Sequence, residues 1–103
     1  MVVISWAFIF EAPEMDSAVD RMVVERGGVR TVIVGVPEQA AVVAVAVALV
    51  EEGAQFIELC GGFDPIWPGR VMEATGGRVP VGAVGYAGGA SVTRLAEIFA
   101  APA

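Results

Sequence analysis

A chain of 103 residues, 56% hydrophobic and 17% charged, has material for one core but little polar surface to cover it. Its net charge of −6, with no lysine and six arginines set singly, leaves no basic stripe for a nucleic-acid backbone. The lack of histidine and the single cysteine exclude a histidine-based catalytic triad, an internal disulfide and the clustered ligands a metal needs, so no metal and no cofactor is expected.

Residues 2–10 are rich in β-branched and aromatic side chains and end at Glu11-Ala12-Pro13, where proline withdraws a backbone donor. This is the first predicted strand. Asp16 and Ser17 then offer a cap to a short helix reaching Glu25, with Val19, Met22 and Val23 at i, i+3, i+4 spacing and Gly27-Gly28 as its stop. A second strand is expected over residues 29–36, ended by Gly35-Val36-Pro37. Such continuous apolar runs fit a parallel sheet covered on both faces.

Pro37-Glu38-Gln39 opens a helix predicted to run to Glu52 and to stop at Gly53. Its body, residues 40–50, is apolar on every side and needs cover on two sides, which in so small a domain a second copy would supply. With the low charged fraction, this predicts a homo-oligomer built partly on that helix. The third strand is expected over residues 54–60, followed by the turn Gly61-Gly62-Phe63. Asp64-Pro65 starts a helix that Pro68-Gly69 should disturb and that continues over residues 70–75. A fourth strand spans residues 78–86. Ser91 caps a last helix with Val92, Leu95, Ala96 and Phe99 on one face.

The predicted order β-α-β-α-β-α-β-α describes one α/β domain over residues 1–103, with a small, mostly parallel four-stranded sheet. A ferredoxin-like α+β arrangement is the alternative. No apolar run reaches the ~18–20 residues of a membrane span, and the N-terminus lacks the positive leader of a secretory signal, so a cytoplasmic protein without a membrane partner is expected.

The segments Trp6-Ala7-Phe8-Ile9-Phe10-Glu11-Ala12-Pro13, Val34-Gly35-Val36-Pro37, Glu58-Leu59-Cys60-Gly61-Gly62-Phe63 and Val79-Pro80-Val81-Gly82-Ala83-Val84-Gly85-Tyr86 resemble a family of small bacterial proteins classed only as a domain of unknown function. The likeness runs through nearly the whole chain. It implies a stand-alone domain and brings no activity or catalytic residue with it.

Candidate chemistry concentrates where the third strand meets its turn. Glu58 stands between Ile57 and Leu59, and period-two alternation puts Glu58 and Cys60 on one face, as a thiol and a carboxyl able to move protons. The plainer readings are a carboxylate paired with Arg30 or Arg78 and a small buried thiol. In a parallel sheet ligands bind beyond the strand C-termini, a rim that here collects Glu11, Gly61, Gly62, Tyr86, Gly88, Gly89 and Ser91. Gly61-Gly62 and Gly88-Gly89 could present backbone N–H groups to a small anion, or serve only as turns. The reading is an oligomeric small-molecule-binding or assembly protein with its site on that rim. The alternative is a cofactor-free isomerase or lyase using Glu58 and Cys60.

Overall fold

The computed structural model describes residues 1–101. Its frame is a five-stranded sheet in the order β2-β3-β1-β4-β5, with β1 (Ile4–Glu11) in the middle. β3 (Val29–Val36), β4 (Ile57–Leu59) and β5 (Val81–Ala83) run parallel to β1, and β2 (Arg21–Arg26) runs antiparallel to β3. The α/β class and the mostly parallel sheet agree with the sequence reading, whereas the four-stranded, strictly alternating order does not.

The extra strand is β2, which replaces the helix expected between Asp16 and Glu25. Gly27 and Gly28, at φ +63° and +81°, form the two-residue loop between Arg26 and Val29, which are partners across the ladder. Positive φ at both loop positions gives a turn whose twist matches that of the flanking strands, so the chain folds back as a hairpin. Asp16 does cap locally, its Oδ1 accepting from the Ala18 N–H at 2.9 Å, but only a short turn follows.

Residues 39–51 cross from β3 to β4. A single 3-10 turn over Gln39–Ala41 leads into α1 (Val42–Glu51), so the predicted helix is present with a tighter start. α2 (Ile66–Ala74) crosses from β4 to β5 and packs against α1. Pro68 lies in the first turn of α2, where a missing N–H costs nothing because its i−4 carbonyl, that of Asp64, lies before the helix, so the disturbance expected there is absent. α3 (Gly88–Ala100) follows β5, and none of its residues is fully buried. No helix among the described residues is long and apolar enough to cross a membrane.

The core lies on one side of the sheet only. Strand alternation sends Ala7, Ile9, Val32, Val34, Ile57 and Leu59 towards α1 and α2, where Val42, Ala46, Leu49 and Val71 meet them. The opposite face carries Trp6, Phe8, Phe10, Ile33, Met22 and Val24, all half-buried or exposed, with Trp6 stacked on Phe56 at 5.3 Å. The cover on both faces inferred from the apolar strand runs is therefore only partial among the described residues, limited on this second face to the Met15 side chain over Gly35 and Phe10. α1 is also better covered than its composition implied. Val45 and Val50 pack against the core, and its exposed positions within residues 42–50 are the methyl groups of Ala44 and Ala48.

At the far end of α1, Glu52 accepts a 2.7 Å hydrogen bond from Nη2 of Arg21, tying the edge hairpin to the helix layer. That bond, ahead of opposing desolvation, lowers the Glu52 pKa and raises that of Arg21. A carboxylate with a depressed folded pKa stabilises the fold above its unfolded pKa and loses the contribution as pH falls through the folded value. Both side chains are substantially exposed, so the pair contributes under about 1 kcal/mol. The stability difference between wild type and Glu52→Gln should thus be constant near neutrality, begin to shrink as pH falls to the unfolded glutamate value of about 4.3, and vanish only below the lowered folded value in pH-dependent urea unfolding.

Candidate functional site

The rim at the C-terminal ends of the parallel strands is assembled by backbone bonds between neighbours. The Cys60 N–H donates to Ile9 O at 3.0 Å, the Ala12 N–H to Val36 O at 3.1 Å and the Val84 N–H to Leu59 O at 3.0 Å. These bonds carry the sheet ladder one step past the strands and bring residues 11–13, 60–63 and 84–86 alongside one another. The turn after β4 is closed by the Phe63 N–H donating to Cys60 O at 3.3 Å, and the Phe63 ring is buried in the core beneath it. The Asp64 N–H donates to Oε1 of Gln39 at 2.8 Å, fastening the start of the next segment to the 3-10 turn.

A cavity of about 600 Å³ lies over this rim, lined by Glu11, Ala12, Pro13 and Gly62 from the strand ends and by Leu95 and Phe99 of α3. Leu95 and Phe99 are four residues apart and so project from one side of the helix. Two rim residues named from sequence, Glu11 and Gly62, therefore line one space. Leu95 and Phe99 entered the sequence analysis only as part of an apolar helix face. The missed signal was that a helix following the last strand can lean back over the rim.

Tyr86 and Gly61 meet beside this cavity. A Cβ on Gly61 would stand 2.5 Å from Cε2 of Tyr86, so the aromatic ring lies flush against the bare backbone. Gly61→Ala should push the half-exposed ring aside at a cost of about 1 kcal/mol. In a double-mutant cycle by urea unfolding, Tyr86→Ala should remove most of that penalty, and additive losses would show that the two do not touch. Ser91 and Tyr86 line a separate, shallower groove along α3 with Arg94 and Ile98. Ser91 does not cap the helix. α3 starts earlier, with Ala87 extended and Gly88 at φ +71° making the turn, and no side chain caps it. Gly89 lies in its first turn, with open space around it.

Glu58 is placed one step down β4, on the open face of the sheet, flanked by Phe8 on β1 and by Gly82 on β5. Its Cγ would sit 3.6 Å from a Cβ built on Gly82. It is half-buried, and the ion pairs among the described residues, Arg21–Glu52, Arg70–Glu73, Arg78–Glu51 and Arg94–Glu97, leave it out. Arg78, one partner considered from sequence, is 3.5 Å from Glu51. Arg30, the other, alternates to the helix-covered face. Cys60 is half-buried and packs against the core, with Sγ 3.6 Å from the Cβ position of Gly62. Cys60 lies one residue past the end of β4, so strand alternation does not fix it on the face of Glu58, and neither residue lines the 600 Å³ cavity.

Comparison with protein families matches residues 4–99 to the model described as a family of unknown function, DUF6506. The chain belongs to that family. The match spans β1 to α3, in keeping with the resemblance read from the four sequence segments, and the family's description assigns no activity to the rim. Searches of curated proteins and of solved structures give no match.

Proposed function

We propose that the protein binds a small molecule in the rim cavity formed by β1, the turn after β4 and α3. The observation that carries this reading is the cavity itself. Its volume of about 600 Å³ falls in the range of ligand pockets, roughly 300–1,000 Å³, and its lining is apolar apart from one carboxylate, Glu11. Mostly apolar walls with a single polar group are what hold and orient a small organic ligand.

The carboxylate also selects among ligands. No arginine lines the cavity, and the chain carries net charge −6, so a neutral or cationic group opposite Glu11 is favoured over the small anion that the Gly-Gly pairs would suit. The proton-transfer reading built on Glu58 and Cys60 has less support, because both residues stand outside this space.

A panel of small aromatic amines, alcohols and carboxylates tests the proposal by thermal shift and calorimetry. Amines and neutral compounds are expected to raise Tm, and by more the tighter they bind, with the logarithm of affinity. Gly62→Leu, which fills the cavity from a position with ordinary φ and no tight neighbour, should abolish the shift while preserving the fold. Glu11→Gln should weaken amine binding about tenfold, the loss of a charge-assisted hydrogen bond. Preferential binding of the carboxylates, or binding unaffected by Gly62→Leu, would overturn the proposal.

A further inference from the structure

Among the described residues the open side of the sheet is covered only at one end, where the Met15 side chain lies over Gly35 beside the Phe10 ring. Its strand positions are Ile4, Trp6, Phe8 and Phe10 on β1, Met22, Val24 and Arg26 on β2, Val29, Thr31, Ile33 and Gly35 on β3, Glu58 on β4 and Gly82 on β5. Met22 is 56% exposed and Val24 49%, and the four β1 side chains are none of them buried. We infer that this face is the surface on which a second copy of the chain docks, sheet against sheet. The inference does not depend on the rim cavity.

Two observations favour a second copy as the occupant, and the strand order allows a symmetric arrangement of it. The first is area. Strands of six to eight residues at ~3.3 Å per residue, spaced ~4.8 Å apart, give a face of roughly 20 × 20 Å. Once side-chain relief is included, two such faces bury on the order of 1,200 Å² together, which reaches the size of a specific dimer interface. The second is charge. The open face bears one arginine and one glutamate, so on a chain of net charge −6 it is a neutral surface where two copies can approach without repulsion.

The strand order also allows a symmetric pairing. β1 is the central strand of five, so a two-fold axis running along it sets each β3 across from the partner's β4. Each Glu58 then faces the apolar and hydroxyl side chains of β3. The two carboxylate-bearing strands are offset by ~10 Å within the sheets and ~10 Å between them, so the two carboxylates do not meet. An axis across the strands would instead stack the two Glu58 side chains. The homo-oligomer expected from composition is thereby assigned to the aromatic sheet face and not to α1, whose outward methyl groups offer far less apolar area.

Sedimentation and light scattering of the full chain, from below one micromolar to tens of micromolar, test the inference. The expected result is a reversible change from 10.6 kDa to twice that mass. In a Trp67→Phe background, Trp6 emission should shift to the blue along the same concentration axis, since docking removes water from its ring. Phe8→Glu should weaken association at least about 30-fold, as loss of a central aromatic anchor does. Should Phe8→Glu fail to fold, the double variant Met22→Lys, Val24→Lys changes side chains already about half exposed and should weaken association with unaltered thermal unfolding of the dilute protein. Ala44→Glu on α1 should leave it unchanged. A monomer at every concentration, or a dimer broken by Ala44→Glu and indifferent to the sheet-face variants, would overturn the inference.

Discussion

Replacing Ile9 with alanine is expected to cost about 3–4 kcal/mol of folding stability, because the side chain is fully enclosed and the sheet around it cannot collapse into the space. Ile9 sits on the central strand and faces the helix layer, so its loss opens a cavity in the middle of the core. Phe8, its neighbour in sequence, points to the open side and should behave differently. Phe8→Ala should cost no more than about 1 kcal/mol when unfolding is followed at concentrations too low for association. Urea unfolding of the two variants checks both values. Equal losses would contradict a sheet covered on one side only.

Phe63→Ala should cost about 3 kcal/mol or more, the usual loss for a buried phenylalanine. Its ring anchors the turn that begins at Cys60, so the variant should also loosen the rim. The measurable sign is reaction of the Cys60 thiol with a maleimide, which should be faster in the variant than in wild type under native conditions. A destabilised protein with an unchanged thiol rate would mean that the turn is held by the backbone bonds of Cys60 to Ile9 and of Leu59 to Val84 alone.

The parallel sheet was legible because β1 and β3 are long runs of β-branched and aromatic residues bounded by proline and glycine. β4 and α1 were legible because a glycine stop separates them. β2 was misread because Val19, Met22 and Val23 fit a helical stripe, and a six-residue segment is too short for periodicity to decide. The better guide was the two-residue Gly27-Gly28 loop between two valine-rich runs, which is hairpin chemistry. At the rim, Glu11 and Gly62 were found because their strand ends were found. Leu95 and Phe99 were not recognised as lining residues because nothing local to α3 fixes the angle at which it leaves the sheet. Glu58 stood out as an ionisable group among apolar neighbours. Its surroundings were misjudged because alternation gives two faces without stating how many the helices cover.

The Gly27-Gly28 hairpin also bears on the order in which the chain assembles. β2 and β3 are adjacent in sequence, so their ladder closes with almost no loop and can form within microseconds. By contrast, the partners Ala7 and Ile57 lie half the chain apart, about twice the separation of Ile4 and Val29 in the β1–β3 pairing. Local contacts should therefore be in place early and the β1–β4 seam last, as loop-closure entropy dictates. Substitutions in the hairpin would then slow folding, whereas substitutions at Ile57 or Leu59 would act mainly by speeding unfolding.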